Sequence, residues 1–388
     1  MIKADFLPKI PYGTKDFLVS EAQQKRLMET TVAQIFRQWG YEEVVTPTFE
    51  YGEIFERSSL NEQAFKFFDR SGNILMLRPD MTVPIARLFC TRLKEMPRPI
   101  RLFYIANVFR YEQAQAGRQC EFYQAGVELL GTSLPAADAE IVALAVEAMQ
   151  QVGLDNFKIS LGHVDFLHGV IESTDLPEEE KNKIRALLSQ RDLAGLEEYI
   201  ADIDLKDSVR KFLQEVLFLQ GGKELLVRAE MLADNPLSTK ALDNLSTIYS
   251  HLEDYGVADK INFDLGLIRD FGYYTGMVFE TYTENLGFPI CGGGRYDNMT
   301  ASFGEKAPAI GFSIGIDRLL LVLNGKNQQT NKQQMTYIGW AQGRFNKALL
   351  QAKQLRNQGQ LVQIAFSPQD REQAQKDAQN KQFIYIES

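Results

Sequence analysis

Two short stretches decide how this chain is interpreted: Gly266-Leu-Ile-Arg-Asp-Phe-Gly-Tyr-Tyr-Thr-Gly276 and Cys291-Gly-Gly-Gly-Arg-Tyr-Asp297. The first places Arg269 shortly before the paired aromatics Tyr273 and Tyr274. A guanidinium group can clamp a carboxylate, and tyrosine rings stack on planar groups while their hydroxyls form hydrogen bonds. The glycine run of the second stretch lets the backbone approach a ligand closely. For the tyrosines the structural alternative is a pair of core aromatics near a turn, and for the glycine run it is an ordinary hairpin turn. The glycine run is not a nucleotide P-loop, because no Gly-Lys-Ser/Thr follows it.

Composition and length indicate a folded, water-soluble protein with two or three domains. The chain has 388 residues, of which 45% are hydrophobic and 24% are charged. The N-terminal region lacks the apolar segment of a signal peptide, and no stretch approaches the roughly 18 apolar residues that a membrane span needs. Three widely separated cysteines, Cys90, Cys120 and Cys291, fit neither a disulfide framework nor a zinc site. We therefore expect a cytoplasmic protein that contacts no membrane and carries no metal or other cofactor.

The charge balance argues against a dedicated nucleic-acid-binding protein. The formal net charge is −9, whereas nucleic-acid-binding domains usually carry a basic patch. The C-terminal stretch 326–388 differs, because it has 9 Lys and Arg against 4 Asp and Glu, and 15 of its 63 residues are glutamine. This polar composition predicts a small, well-solvated domain.

Hydrophobic periodicity predicts strands and helices in a mixed order. Apolar runs and alternation predict strands at Ile74–Leu77, Ile100–Phe109, Phe122–Leu130 and Phe157–Val164. The apolar stretch Ile310–Leu323 predicts a buried helix. These strands and helices together are typical of an α+β domain built on a mostly antiparallel sheet.

The character of the sequence changes twice along the chain, and these changes predict the domain boundaries. Residues 173–256 are charged, leucine-rich and helical in spacing, which predicts an all-helical insertion. Residues 1–172 and 257–325 form the main domain around it. Residues 326–388 alternate strand, helix, strand, helix and strand, which predicts a small α/β unit.

Polar side chains on one face of a predicted strand indicate a binding cavity. Gln124, Gly126 and Glu128 share a strand face, while the residues between them are apolar. With Asp80, which lies in Leu-Arg-Pro-Asp-Met-Thr, this face offers two acids and an amide that suit a cationic ligand group. Ordinary solvent exposure of one sheet face is the alternative.

Two arginines occupy positions where a bound anion would explain them. Arg110 ends an apolar strand and can fork onto a phosphate or carboxylate, and a surface hairpin arginine paired with Glu112 is the alternative. Arg318 lies within the predicted apolar helix, where a charge is costly unless it is paired or meets an anion. Its neighbour Asp317 faces another side of a helix, which favours a ligand-facing Arg318.

In order along the chain, five motifs resemble the core of class II aminoacyl-tRNA synthetases, and specifically the histidyl branch. Thr46-Pro47 with Glu50 resembles motif 1, through which that family dimerises, and Ile310–Leu320 resembles motif 3. Motif 2 is resembled by Phe109–Glu112 together with Glu121–Glu128. The two signatures specific to the histidyl branch are resembled by Leu267–Glu280 and by Gly292–Asp297. The resemblance covers most of residues 8–170 and 260–325. It implies an antiparallel sheet with flanking helices and a dimer formed through this core.

The resemblance also implies roles for individual residues. In that family the positions of Asp80, Thr82 and Gln124 hold the histidine ammonium group. Those of Glu128 and Tyr274 recognise the imidazole edges. Arg269 would face the carboxylate and Tyr273 would wall the pocket. The remaining two positions are the motif 2 and motif 3 arginines, which face ATP in the family: Arg110 and Arg318.

The sequence departs from the synthetase pattern at several of these places. The histidyl signature Arg-Gly-Leu-Asp-Tyr-Tyr is here Arg269-Asp-Phe-Gly-Tyr-Tyr274, and Asp80 replaces the usual Glu. Gln113 and Cys120 stand where the motif 2 loop of the family carries arginines. Only 63 residues follow Gly325, about half of a domain of the usual size, where the family has an anticodon-binding domain.

This combination resembles the synthetase paralogues that serve as regulatory subunits of ATP phosphoribosyltransferase, the first enzyme of histidine biosynthesis. That resemblance implies a non-catalytic chain without catalytic residues, partnered with a short-form catalytic subunit, which confers histidine feedback and binds no tRNA. Two alternatives stay open: an active histidyl-tRNA synthetase with a reduced tail, and a synthetase-like amino-acid ligase.

Overall fold

The computed structural model describes residues 9–56, 58–111, 119–232, 235–267, 273–284, 286–324 and 334–387. The helices are α1 Val19–Gln38, α2 Thr82–Leu88, α3 Pro135–Gln151, α4 Val164–Glu172, α5 Glu178–Ser189, α6 Leu193–Ala201, α7 Asp207–Glu215, α8 Glu224–Glu230, α9 Pro236–Asp254, α10 Ile316–Asn324, α11 Phe345–Asn357 and α12 Arg371–Ala378. Within these ranges no helix has both the length and the apolar character required to cross a bilayer.

The strands form one large sheet and two small ones. They are β1 Glu42–Glu43, β2 Phe49–Tyr51, β3 Lys66–Phe68, β4 Ile74–Leu77, β5 Ile100–Phe109, β6 Glu121–Leu130, β7 Phe157–His163, β8 Gln220–Gly221, β9 Ile261–Asp264, β10 Met277–Thr283, β11 Cys291–Arg295, β12 Ala309–Gly315, β13 Thr336–Trp340, β14 Val362–Ile364 and β15 Gln382–Ile386. The large sheet has nine strands in the order β1-β5-β6-β12-β11-β10-β7-β9-β8. Its neighbours are antiparallel except for the parallel pairs β1–β5 and β7–β9.

One face of the large sheet carries the main hydrophobic core. Ala125, Val127 and Leu129 of β6 point into it, and α1 and α3 cover it with apolar stripes such as Val32 and Val142. Residues of helices α5 to α9 belong to the same continuous cluster. Because these side chains fill one face, the alternate residues of β6 point to the opposite face, where the candidate site lies.

The prediction of a single buried helix over Ile310–Leu323 is wrong in its first half. Ala309–Gly315 is strand β12, paired with both β6 and β11, and the helix α10 begins at Ile316. The sequence Ile-Gly-Phe-Ser-Ile-Gly alternates large apolar and small residues with a period of two, which suits a strand between two others. Because the residues that alternate with the large apolar ones are small and uncharged, this period of two does not stand out as polar against apolar.

This correction also changes the argument for Arg318. The residue lies in the first turn of α10, and its side chain is exposed, so the cost of burying a charge inside a helix does not apply to it. The glycine run Gly292–Gly294 is likewise not a hairpin turn, since it forms the middle of strand β11.

The chain divides into two compact units, Met1–Lys326 and Asn327–Ser388. The second unit has the predicted alternation of strands and helices, with a parallel sheet in the order β14-β13-β15. Its core is small: Ile338, Ala348 and Ala352 are buried, and the indole Nε1 of Trp340 donates a hydrogen bond of 2.8 Å to the carbonyl of Ala365.

Candidate functional site

A cleft of about 470 Å³ lies on the face of the large sheet opposite the main core. We call it the central cleft. It brings together eight of the nine residues predicted from the sequence to bind a ligand: Asp80, Thr82, Arg110, Gln124, Glu128, Tyr273, Tyr274 and Arg318. The ninth, Arg269, lies outside the described residues.

Small residues on neighbouring strands form the floor of the central cleft. Gly311 of β12 pairs directly with Glu128 of β6 on one side and with Gly294 of β11 on the other. A Cβ atom on Gly311 would lie 1.9 Å from Oε2 of Glu128, so any larger residue there would collide with the carboxyl group. Gly311 therefore makes room for the acidic side chain of Glu128 at the floor of the cleft.

Glu128 is an acid at the bottom of this cleft. Its side chain is only 2% exposed. Its carboxyl group accepts a hydrogen bond from the hydroxyl of Tyr296 and is also bonded to Thr82. Burial raises the pKa of Glu128 to about 8, against the lowering effect of these hydroxyls, and the nearby carboxylate of Asp80 raises it further. Burial thus favours the protonated form of this carboxyl group, and a cation or hydrogen-bond donor beside it would favour the ionised form.

Asp80 is the second buried acid, and α2 positions it. Its Oδ1 accepts a hydrogen bond of 3.1 Å from the backbone N–H of Val83, which places the carboxylate at the N-terminus of the helix. Burial raises the pKa of Asp80, while the charge of Arg110 lowers it. Two acids of one cleft thus both carry the cost of burial, which a ligand ammonium group would offset.

Tyrosine rings enclose the space next to these acids. The rings of Tyr273 and Tyr274 meet edge to face with centroids 4.7 Å apart, and the ring of Tyr273 lies 5.7 Å from that of Tyr296. Tyr104 on β5 completes the lining with its buried side chain. Such rings provide flat apolar surfaces with hydroxyls at their edges, which suits a small planar heterocycle.

The two predicted arginines bring positive charge to the same cleft. The Nε of Arg110 donates a hydrogen bond of 2.8 Å to the carbonyl of Pro79, and its guanidinium lies 5.4 Å from the ring centre of Phe122. Arg318 donates to the carbonyl of Pro289 and stacks on Phe288 at 4.9 Å. Both guanidiniums line the cleft, which therefore carries both signs of charge and suits an amphoteric ligand.

Sequence reasoning missed two of the tyrosines in this cleft, Tyr104 and Tyr296. Tyr296 lies within the quoted motif Cys291–Asp297, so its position beside the glycine run was an available signal. On its strand Tyr104 lies between the apolar residues Leu102 and Val108 of the same face, so the local sequence does not mark it as a cleft residue. Its role depends on the pairing of β5 with β6, which puts it opposite Gly126.

Arg295, the residue before Tyr296, points away from the central cleft towards α3 and has a structural role. Arg295 is buried and its Nε donates a hydrogen bond of 2.9 Å to Oδ1 of Asp138 on α3. Its Nη1 donates to the carbonyl of Thr132 at 2.9 Å and to Asp297 at 3.2 Å. Burial raises the pKa of Asp138 to about 6, and the pairing with Arg295 lowers it only in part.

Comparison with protein families gives a match to the histidyl-tRNA synthetase model over residues 13–319. Among curated relatives, the ATP phosphoribosyltransferase regulatory subunit of Desulforamulus reducens is 44% identical over 357 residues, which cover 91% of this chain and 89% of the relative. The protein of the same name from Halothermothrix orenii is 42% identical over 368 residues, which cover 93% of this chain and 88% of the relative.

Solved structures give the same result for the fold. A Bacillus halodurans protein, described as an ATP phosphoribosyltransferase regulatory subunit/histidyl-tRNA synthetase, superposes with a TM-score of 0.89 at 34% identity, with 99% of both chains covered. A histidyl-tRNA synthetase from Nostoc sp. superposes with a TM-score of 0.82 at 22% identity over 96% of this chain and 89% of that chain, which shows a likeness of fold alone. The predicted α+β, class II synthetase-like fold is therefore confirmed.

Proposed function

We propose that this chain, which belongs to the family of ATP phosphoribosyltransferase regulatory subunits, binds free L-histidine in the central cleft and thereby makes a short-form catalytic subunit responsive to histidine. In this view the chain itself transfers no phosphoribosyl group and charges no tRNA. It supports the first step of histidine biosynthesis by activating its partner, and ligand binding shifts the complex towards an inhibited arrangement.

The observation that carries this proposal is the pair of buried acids beside a wall of tyrosines. In this proposal Asp80 holds the ligand ammonium group, together with Thr82 and Gln124. Glu128, which is bonded to Tyr296, accepts an imidazole N–H in this proposal, and Tyr274, which also lines the cleft, recognises the other edge of the ring. A ligand without an imidazole would leave these buried polar groups unpaired, so a cleft of this kind rejects other amino acids.

Self-association through the synthetase-like core is the second part of the proposal. The small sheet β2-β4-β3 exposes Phe49, Tyr51 and Phe67 to 51%, 56% and 39%. The rings of Phe49 and Phe67 meet at 5.9 Å on this sheet. Clustered exposed aromatics typically mark a protein interface. Strand β2 of this sheet contains Glu50 and follows Thr46-Pro47, the residues that resemble motif 1, through which the synthetases dimerise.

The experiment is to mix the purified chain with a short-form ATP phosphoribosyltransferase catalytic subunit and to assay phosphoribosyl transfer with and without histidine. We expect activation by the chain and suppression by histidine, with a coupling of about 1–3 kcal/mol between the ligand and the active arrangement. Glu128→Ala should remove most of the histidine sensitivity and retain activation. A Glu128→Ala complex with wild-type histidine sensitivity would show that the assigned cleft is not the sensing site.

The same preparation separates the proposal from an active synthetase or amino-acid ligase. Both alternatives form an aminoacyl adenylate, so they predict exchange of pyrophosphate into ATP by the chain alone. The exchange depends on histidine for the synthetase and on another amino acid for the ligase. The arginines Arg110 and Arg318 line the cleft and are the residues that such a reaction would need. Exchange without any effect on the catalytic subunit would overturn the regulatory function.

A further inference from the structure

A second cleft of about 730 Å³ adjoins the central cleft. We call it the side cleft. It is formed by the 3₁₀ turns Gly52–Phe55 and Thr300–Phe303 and by the start of α2. Its lining includes Glu53, Glu56, Val83, Tyr273, Met299 and Phe303. None of the ligand roles assigned above concerns this cavity, apart from the shared wall at Tyr273.

The side cleft combines an apolar floor with acidic groups at its rim. Val83 is buried, and Met299 and Phe303 pack partly buried against a small core around Phe55. Glu53 and Glu56 are exposed, and neither carboxylate forms an ion pair with a residue in the described part of the chain. A cavity with this lining suits a positively charged side chain that is flanked by apolar ones.

Two short backbone segments pass from the central cleft to the side cleft. At the start of α2, Asp80 in the central cleft accepts the hydrogen bond of the N–H of Val83, whose side chain lines the side cleft. After β11, Tyr296 is bonded to Glu128 in the central cleft, and Met299 lines the side cleft three residues later. A ligand that binds Asp80 and Glu128 thus acts on both segments, and each of them carries part of the side-cleft floor.

The ring of Tyr273 adds a direct connection, because it lines both cavities. A ligand that packs against one side of this ring restricts its position on the other side. The side cleft is therefore placed to change with occupancy of the central cleft, as a surface that transmits ligand binding to a partner needs to do.

We propose that the side cleft is a docking site for the catalytic partner, which inserts a segment that carries a lysine or arginine beside an apolar side chain. Ligand in the central cleft alters this docking through the start of α2, the segment Tyr296–Met299 and the ring of Tyr273. This inference rests on the proposed regulatory function and names the contact surface through which it operates.

The test is the double charge reversal Glu53→Lys and Glu56→Lys, with Glu179→Lys and Glu180→Lys as the matched control. The control residues are acids in the first turn of α5, away from both clefts, so the change in net charge is the same. Two dissociation constants are measured for each full-length chain: that for the catalytic subunit, at low and high salt, and that for histidine on the isolated chain. We expect the side-cleft variant to bind the catalytic subunit roughly tenfold more weakly than the control at low salt, with histidine affinity unchanged.

The outcomes separate this inference from the function on which it rests. If the wild-type chain does not bind the catalytic subunit at all, the regulatory function itself fails. If the wild type binds and the side-cleft variant binds as tightly as the control variant, the docking site is elsewhere. If the side-cleft variant instead changes the mass of the isolated chain in light scattering and leaves partner affinity intact, a second copy of the chain occupies the cleft and the inference is wrong.

Discussion

Two acidic side chains of the main unit, Asp138 and Glu128, are almost equally buried but have different partners. Asp138 is 1% exposed and faces the guanidinium of Arg295, which also donates to a carbonyl and to Asp297. Glu128 is 2% exposed and is bonded to the hydroxyls of Tyr296 and Thr82, with the carboxylate of Asp80 as a charged neighbour.

The difference supports the proposal that Glu128 binds a ligand, whereas Asp138 is an acid of the core structure. Burial raises the pKa of both, to about 6 for Asp138 and to about 8 for Glu128. The cation beside Asp138 offsets part of the burial cost within the fold. The hydroxyls beside Glu128 offset less of the cost of burying its ionised form. A cation or an N–H donor that binds beside Glu128 would therefore stabilise the carboxylate by a larger free energy. Arg295 ends β11 and Tyr296 follows it, and because their side chains point to opposite sides of the sheet, one motif supplies both environments.

The largest effect is expected from breaking the structural pair with Asp138→Ala. This change leaves the buried guanidinium of Arg295 without its main partner, which costs about 3–5 kcal/mol of unfolding free energy. Urea unfolding at pH 7.5 measures it, with Asp243→Ala on the exposed face of α9 as the control. A loss no greater than that of the control would mean that Arg295 does not depend on Asp138.

The second expected effect concerns Glu128→Gln and the pH dependence of stability without ligand. In the folded chain Glu128 keeps its proton up to a pKa of about 8, whereas the unfolded chain releases it near the ordinary value of 4.5. Between these pH values the unfolded state binds fewer protons, so the wild-type unfolding free energy falls as pH rises from about 5 to 8. Glutamine does not titrate. The unfolding free energy of the variant should therefore rise relative to that of the wild type by about 2–4 kcal/mol as the pH increases over this window.

Unfolding free energies of both proteins, measured at half-unit pH intervals, test this expectation. Other groups that titrate in the window, such as Asp138, are common to both chains and cancel in the difference. Glu179→Gln on α5 serves as the control for loss of an exposed carboxylate. Parallel curves for wild type and Glu128→Gln would show that Glu128 ionises normally in the folded chain.

The smallest expected effect is that of Tyr296→Phe. The change removes the hydroxyl that donates to Glu128 and should weaken histidine binding by about 1 kcal/mol, or roughly fivefold. Tyr282→Phe is a matched control, because Tyr282 donates a hydrogen bond to Glu280 on the same sheet away from the cleft. Titration calorimetry measures the histidine affinity of both variants. If Tyr296→Phe binds histidine as tightly as Tyr282→Phe does, Tyr296 does not contribute to the site.

Much of the fold was predictable because local periodicity marks the strands and helices. The strand predicted at Ile100–Phe109 has the bounds of β5, and that predicted at Phe122–Leu130 differs from β6 by one residue. The failure at Ile310–Leu323 has a physical cause: a strand that is buried between two others has little polar sequence to mark its period. The glycine run of β11 was ambiguous for the related reason that glycine suits a turn as well as a crowded strand.

The sequence by itself determined the α+β class, the resemblance to the histidyl synthetases and the residue types that a histidine site needs. Only the tertiary structure decided which acids are buried and what they meet. Glu128 and Tyr296 are 168 positions apart, and β12 lies between the two strands that carry them or lead into them, so their hydrogen bond follows from the sheet order. The pKa of an acid depends on its burial and neighbours, and these exist only once the strands have paired.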